Sequence, residues 1–454
     1  MKIHFISIGG SIMHNLAIAL KRKGHAVSGS DDELFEPAKN RLEKEGILPD
    51  SNGWHPDRIN KNLDVVILGM HAKADNPELT KARLLGLQIY SFPEFIYINS
   101  KDKTRIAVAG SHGKTTITSM IMHVMRKYNK RFDYLVGALV EGFDEGLKLT
   151  DDAPIIILEA DEYLSSAINS EPKFLWYKPQ LALISGIAWD HMNVFPTYEI
   201  YIDQFRKFIE SMPEHATLIY YKGDVDLVKL VSEFDHIHKL PYDKPMYKVK
   251  NNQFVIQNMS GVEIELGLRG SHNLLNMEGA KLICNAEGIS DIEFYEAIRD
   301  FKGAGKRLEK IHETENCIVF RDFAHAPSKV SATVSGIRDQ YPDRKLFACL
   351  ELHTYSSLNS DFIPLYRKSM LGADRRFVYI NEEAVKLKRM RLLDKGEIVE
   401  AFSDPDMDVF YSMDQLIQLL KTLDYNSSVL LMMSSGNFDN LSFNSISNVL
   451  GIED

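Results

Sequence analysis

Residues 106–116 read Ile-Ala-Val-Ala-Gly-Ser-His-Gly-Lys-Thr-Thr, an apolar strand-like run that breaks at Gly110 and Gly113 and passes into a helix-compatible stretch. A strand that turns through glycines into a helix is the opening half of a βαβ unit, so the segment predicts an α/β chain with a parallel sheet covered by helices. The same order predicts a phosphate cradle. Backbone N–H groups and the positive end of a helix dipole face the anion, an ammonium reaches the outer phosphates, and a hydroxyl is available to Mg²⁺. The expected ATP contacts are Gly110, Ser111, His112, Gly113, Lys114, Thr115 and Thr116. The spacing is a variant one: the common pattern has four residues before its Gly-Lys pair, and Val108 stands where its first glycine would be. Taken alone, the loop is also compatible with a glycine-rich turn carrying a solvated lysine. The strand-to-helix context and the paired threonines favour the cradle.

A chain of 454 residues exceeds one ordinary core and predicts roughly three domains at about 150 residues each. A charged fraction of 26% is that of a globular protein, and no apolar run approaches the roughly 20 residues of a membrane span. The net charge of −10 gives no general attraction for nucleic acid, so neither nucleic acid nor membrane is an expected partner. Cys284, Cys317 and Cys349 are widely spaced and odd in number, and the N-terminus shows no signal-peptide pattern; a cytoplasmic protein is expected.

Three blocks follow along the chain. In the first, an apolar run over residues 2–8 meets Gly9-Gly10-Ser11 and a helix pattern from Ile12 to Leu20; a second strand, Ala26–Ser30, ends at Asp31-Asp32. Rossmann-like units bind nucleotides at such strand ends, so Gly9, Gly10, Ser11, Ser30 and Asp31 are candidate substrate contacts. A glycine pair without the full dinucleotide fingerprint also serves as a plain structural turn. Further strands at residues 63–68 and 88–90 complete a parallel sheet, and the polar stretch 99–103 reads as a linker. In the second block, buried-strand runs at 154–158 and 181–187 deliver Glu159-Ala160-Asp161-Glu162 and Asp190-His191 at their carboxyl ends. A basic hinge, residues 301–307, leads to a third, again Rossmann-like, block with strands at 317–320, 345–350 and 428–433.

The ordered set Gly110-Ser111-His112-Gly113-Lys114-Thr115-Thr116, Glu159-Ala160-Asp161-Glu162, Asp190-His191-Met192, Ser271-His272-Asn273 with Asn276, Gly305-Lys306-Arg307 and Asp322-Phe323-Ala324-His325-Ala326-Pro327 resembles the Mur ligase family. The resemblance covers nearly the whole chain. It implies a three-domain α/β architecture: a Rossmann-like UDP-sugar domain over 1–101, a central P-loop ATPase domain over 102–308 and a Rossmann-like domain over 309–454 that takes the amine. The implied reaction is ATP-dependent amide synthesis through an acyl phosphate, with UDP-N-acetylmuramate and an amino acid or peptide as substrates. The implied roles place Lys114 on the outer phosphates and Mg²⁺ on Thr115, Glu159 and His191. His272, Asn273 and Asn276 would read adenine, Arg307 would move onto the ATP phosphates, Asp322 would contact the ribose or a neighbouring domain, and His325 would help move a proton at the amine. Local alternatives remain: helix capping for Ser271 and Asn273, a solvated strand end for Glu159, a satisfied histidine for His191, and an unliganded basic hinge at Arg307.

Two branches of the family act on UDP-N-acetylmuramate itself, one adding L-alanine and the other the tripeptide L-alanyl-γ-D-glutamyl-meso-diaminopimelate. Tyr163 after the acidic group, Lys173-Phe174, Leu34-Phe35-Glu36-Pro37 and Arg307-Leu308-Glu309 resemble the tripeptide branch. Glu351-Leu352-His353-Thr354-Tyr355 looks more like the alanine-adding enzymes, with Thr354 in place of their arginine, and Ala326 replaces a second histidine. Lys207 does not match the lysine that other branches carbamylate and receives no role. Rival classes, a nicotinamide oxidoreductase and an ATP-driven switch, leave the second nucleotide loop or the Asp-His and His-Asn motifs unexplained.

Overall fold

Short buried runs of β-branched and aliphatic residues, each punctuated by glycine or an acidic strand end, build three parallel-type sheets in succession. The computed structural model describes every residue except 71, 167, 191, 193, 258–260, 304, 306, 444–445 and 453–454, together with the side chain of 170. The chain folds into two compact units, one of Met1–Ile187, Glu199–Tyr242 and Gly279–Gly288 and the other of Ala188–Tyr198, Asp243–Glu278 and Ile289–Asp454.

In the first unit, β1 (Lys2–Ile6), α1 (Ser11–Arg22), β2 (Ala26–Ser30), α2 (Ala38–Lys44), β3 (Val65–Leu68), α3 (Pro77–Leu84), β4 (Gln88–Ser91) and α4 (Phe92–Ile98) form a parallel sheet in the order β2-β1-β3-β4. The second strand lies where the sequence predicts it. The first stops two residues short of the expected Ile8, because Ser7 takes φ 69° and its N–H, like that of Ile8, goes to the Ser30 carbonyl. The expected linker at 99–103 is ordered around a buried guanidinium. Arg105 donates to the carbonyls of Ser100, Lys101, Lys103, Tyr177 and Lys178 at 2.8–3.3 Å, which satisfies both the cation and the chain around it.

Next come β5 (Thr104–Ala109), α5 (Lys114–Lys127), β6 (Phe132–Leu135), β7 (Leu147–Lys148), β8 (Ile155–Glu159), the short antiparallel pair β9 (Leu164–Ser166) and β10 (Asn169–Pro172), β11 (Leu181–Ile184), α6 (Tyr198–Glu210), β12 (Thr217–Tyr221), α7 (Val225–Ser232) and β13 (His238–Tyr242). Their main sheet has the order β13-β12-β11-β5-β8-β6-β7, parallel except for β7. β5 sits at its centre with Ile106, Ala107, Val108 and Ala109 fully buried, as a strand covered on both faces requires. The glycine loop therefore leaves the middle of a rigid sheet.

The second unit holds the antiparallel β14 (Tyr247–Lys250), β15 (Gln253–Gln257) and β16 (Glu263–Leu266), which no sequence signal singled out. Then comes α8 (His272–Ala286), whose residues from Gly279 on belong to the first unit, followed by α9 (Asp291–Ile298), β17 (Glu309–Glu313), β18 (Cys317–Asp322), α10 (Pro327–Gln340), β19 (Lys345–Glu351), β20 (Arg375–Tyr379), β21 (Asp408–Phe410) and β22 (Ser428–Met433). The sheet order is β17-β18-β22-β19-β20-β21, and β17 runs antiparallel at the edge of an otherwise parallel, Rossmann-like set.

Candidate active site

Register places the chemistry. Val108 of β5 pairs with Glu159 of β8, and Ala109 pairs with Ile184 of β11, so the loop after β5 emerges between two strand ends that bring a carboxylate and a serine–glycine pair. β11 ends earlier than the expected Ile187 because Ser185 and Gly186 serve the loop: Ser111 N–H donates to the Gly186 carbonyl at 2.9 Å, and the Ser185 hydroxyl donates to the carbonyls of Ala109 and His112. Gly110 is irreplaceable on steric grounds. It takes φ +117°, and a Cβ there would lie 2.5 Å from Ser185 Oγ and 2.7 Å from the Ser185 nitrogen. Gly113, at φ 69°, caps α5 in the left-handed region, and the next residue, Lys114, starts the helix.

Lys114 Nζ donates to Glu162 Oε2 at 2.5 Å and lies 3.9 Å from Asp161 Oδ1. Burial lowers the pKa of this ammonium, but Glu162, Asp161 and Glu159 outweigh it and hold Lys114 above its ordinary value, fully charged. Glu162 is itself completely buried. Its other oxygen accepts from Tyr201 Oη of α6 at 3.0 Å, and that hydroxyl also lies 3.1 Å from Ser111 Oγ. Neither Glu162 nor Tyr201 is an expected site residue; Tyr201 falls on the apolar stripe of an amphipathic helix, where an aromatic residue looks like core. Thr115 Oγ1 donates to Glu159 Oε1 at 2.7 Å, and the Gly137 N–H donates to Glu159 Oε2 at 2.7 Å. Thr116 is buried within α5.

In the first sheet, Gly9 N–H donates to Asp31 Oδ2 at 2.7 Å. Burial, reinforced by the neighbouring Asp32 and opposed by the Gly9 amide, raises the Asp31 carboxyl to about 6. Ser30 is fully buried, with Arg58 Nη1 donating to its hydroxyl at 3.0 Å, while Gly10 and Ser11 open α1.

The second unit contains the remaining described candidates. Asn273 Nδ2 donates to the Arg269 carbonyl at 2.7 Å, and Asn276 Nδ2 to Asn273 Oδ1 at 2.8 Å. His272 is pressed against Gly270 and Gly336, its Nδ1 buried without a hydrogen-bond partner among the described residues and its pKa lowered by burial. Arg307 lies over the Phe323 ring at 4.3 Å. Asp322 accepts from the N–H groups of Leu308 at 2.6 Å and Ala324 at 2.8 Å and from Thr333 Oγ1 at 3.2 Å, so its oxygens tie the hinge exit to the start of α10. Burial, with Lys329 and Arg307 adding to it, lowers His325 to about 4, so the imidazole is neutral at pH 7. Its Nδ1 lies 2.8 Å from the Phe323 carbonyl, which can only accept; the proton sits on Nδ1 and Nε2 keeps its lone pair. His191 lies outside the described residues.

The chain matches two family models: the Mur ligase middle domain over residues 108–284, which holds the strand–glycine–helix loop and the acidic strand end beside it, and the "Mur ligase family, catalytic domain" over residues 2–104. The chain belongs to the Mur ligase family. It is 31% identical to the UDP-N-acetylmuramate–L-alanine ligase of Caldicellulosiruptor saccharolyticus over 423 residues, 90% of each chain. Its fold is that of the murein peptide ligase of Psychrobacter arcticus, with TM-score 0.65, 23% identity and coverage of 100% and 99%. It is also that of the UDP-N-acetylmuramate–alanine ligase of Thermotoga maritima, with TM-score 0.69, 20% identity and complete coverage of both chains. The three-domain α/β architecture and an ATP-dependent ligase joining a carboxylate to an amine follow for this Mur ligase. Among the described residues no cluster of three or more His, Cys, Asp or Glu side chains is arranged to hold a metal, and no helix is long and apolar enough to cross a membrane.

Proposed function

We propose that this Mur ligase activates the lactyl carboxylate of UDP-N-acetylmuramate with ATP and couples it to the recycled tripeptide L-alanyl-γ-D-glutamyl-meso-diaminopimelate. The observation that carries the choice of amine is spatial. Lys173, from the Lys-Phe pair that resembles the tripeptide branch, donates to Asp161 Oδ2 at 2.9 Å and lies 5.7 Å from the Tyr163 ring centroid. The two halves of that pattern thus act as one feature beside the acidic motif. The competing reading, L-alanine addition, is supported by the 31% identity to an alanine-adding relative.

In the proposed reaction Lys114 stabilises the γ-phosphoryl group as it passes from ATP to the muramyl carboxylate and ADP leaves, and its rigid setting by Glu162 costs no reorganisation during transfer. Thr115 and Glu159 offer oxygen donors of the kind Mg²⁺ takes, and they pair with each other at 2.7 Å, which fits a site completed by phosphate oxygens and water. Bound there with help from His191, the ion would offset the charge between two anions. The amine then attacks the acyl phosphate, the C–O bond to phosphate breaks, and inorganic phosphate leaves. His325 Nε2 is set to take the proton that the attacking nitrogen must lose.

The test is phosphate release by purified protein with ATP, Mg²⁺ and UDP-N-acetylmuramate, offering the tripeptide or L-alanine side by side. Faster turnover with the tripeptide is expected. Equal or faster turnover with alanine overturns the amine assignment, and ATP hydrolysis that ignores the sugar overturns the ligase reading of this substrate.

A further inference from the structure

Three histidines gather at one corner of the central sheet. His238 opens β13, the outermost strand, and pairs in register with Thr217, the first residue of β12; His236 lies just before β13, and His215 just before β12. All three therefore sit at the amino ends of parallel strands. The phosphate loop leaves the carboxyl end of β5, three strands further in, so the histidines occupy the edge of the sheet opposite the ATP chemistry.

Backbone hydrogen bonds lock the two histidine segments together. The His215 N–H donates to the His236 carbonyl at 2.8 Å, and the His238 N–H donates to the Ala216 carbonyl at 2.8 Å. His215 takes φ 64°, a left-handed conformation uncommon outside glycine, and the chain is held there by these bonds. The His215 and His238 rings are both exposed, with centroids 5.9 Å apart and planes 26° from parallel. His236 is half-buried against Phe234, and its Nε2 is buried without a hydrogen-bond partner among the described residues. Glu214 and Asp235 adjoin the histidines in sequence, and Lys239, beside His238, turns to Asp235 at 3.6 Å.

Two imidazoles on one ion, with Zn–N bonds of about 2.0–2.1 Å, have their ring centroids roughly 5–6 Å apart. The spacing of His215 and His238 falls in that interval, and their backbones are fixed before any ion arrives, which lowers the ordering cost of binding. Imidazole nitrogen favours Zn²⁺, Ni²⁺ and Cu²⁺, whereas Mg²⁺ takes oxygen donors such as Thr115 and Glu159. We propose that His215 and His238 form a second metal site, a two-imidazole site for a divalent ion of the Zn²⁺ class, which ties the edge strand β13 to the loop before β12. No third His, Cys, Asp or Glu among the described residues joins them in a ligand cluster, so water fills the remaining positions and the ion exchanges with solvent. The site is independent of the ligase reading.

Calorimetric titration of the untagged full chain, stripped with EDTA, tests it with ZnCl₂ alone and with ZnCl₂ in excess MgCl₂. The proteins are wild type, His215→Ala, His238→Ala, the double variant and His25→Ala, the last because His25 Nδ1 lies 3.2 Å from the N-terminal amine and makes a rival pair. Wild type and His25→Ala should bind one Zn²⁺ equivalent that Mg²⁺ does not displace. Since loss of an outer partner alone costs 10- to 100-fold in metal affinity, loss of either ligand should weaken that equivalent by roughly 100-fold or more. Cu²⁺ in place of Zn²⁺ should show nitrogen splitting in its paramagnetic resonance spectrum that both single variants lose, and Zn²⁺ should slow hydrogen exchange of the β13 amides in wild type only. Absence of Zn²⁺ binding by wild type overturns the proposal, as does wild-type Zn²⁺ stoichiometry and affinity in the folded double variant. Loss of the equivalent in His25→Ala alone also overturns it, by placing the ion at the N-terminus.

Discussion

The molecule contains two strand–glycine–helix turns of similar local design, β1 to α1 and β5 to α5, and they are finished in opposite ways. In the second, the cation is part of the loop: Lys114 is locked by the buried Glu162, which Tyr201 ties in turn to Ser111. In the first, the cation comes from another helix, and Arg41 meets an imidazole and a carbonyl. The central turn is closed by protein groups, which hold its cation in one place. The N-terminal turn has no cation of its own, and the guanidinium near it comes from a separate helix. A shared local motif thus leaves the setting of the turn open; the surrounding side chains decide it.

Lys114→Ala gives the largest expected effect, roughly a thousandfold loss of ATP-dependent ligation, because in the proposed reaction it removes a donor to the transferring group. Glu162 would be left buried without its cation, so a loss of about 3 kcal/mol should appear in denaturant unfolding. Unaltered stability would show that the central turn is not locked as described.

Gly110→Ala and Gly9→Ala sharpen the contrast between the turns. The first places a methyl group against the backbone of Ser185 at a positive φ, whereas the second meets Leu34 Cδ2 at 2.6 Å and Asp31 Oδ2 at 2.9 Å, the tips of side chains that can shift. A cost of about 3 kcal/mol and loss of ATP binding are expected for Gly110→Ala, against about 1 kcal/mol for Gly9→Ala. Equal costs in thermal unfolding would remove the distinction.

Tyr201→Phe should reduce turnover about tenfold while leaving the first turn unaffected, since it removes a hydroxyl that meets only Glu162 and Ser111 of the central turn. Unchanged turnover would reverse the assignment.

The smallest effect is a pH dependence. Asp31 keeps its proton up to about 6 in the folded chain against an ordinary 3.8, so the native state binds more protons in that interval and stability falls as pH rises through it. Asp31→Asn should abolish that part of the decline in melting temperature between pH 4 and pH 6. An identical slope in both proteins would mean that the carboxyl is not held at Gly9 as the structure has it.

Much of the ligase was legible in the chain. β2 and β22 fall where the sequence placed them, because alternation, buried runs and glycine breaks are local signals. β1 and β11 ended early for a non-local reason: Ser7 turns to meet Ser30, and Ser185 turns to meet the phosphate loop. The antiparallel β17 was missed, since strand direction depends on which neighbour a strand finds. Glu162 stood in view within an acidic motif, but Tyr201, 39 residues away, had no spacing signal to join it.

By itself the sequence determined the α/β class, the family, and the strand–glycine–helix form of the loop at 110–116, because each is written in residues adjacent along the chain. Only the tertiary structure decided which carboxylate grips Lys114 and which imidazole lies beside Arg41. Those are facts of distance and burial, and packing fixes them after residues far apart in sequence have been brought within hydrogen-bond reach.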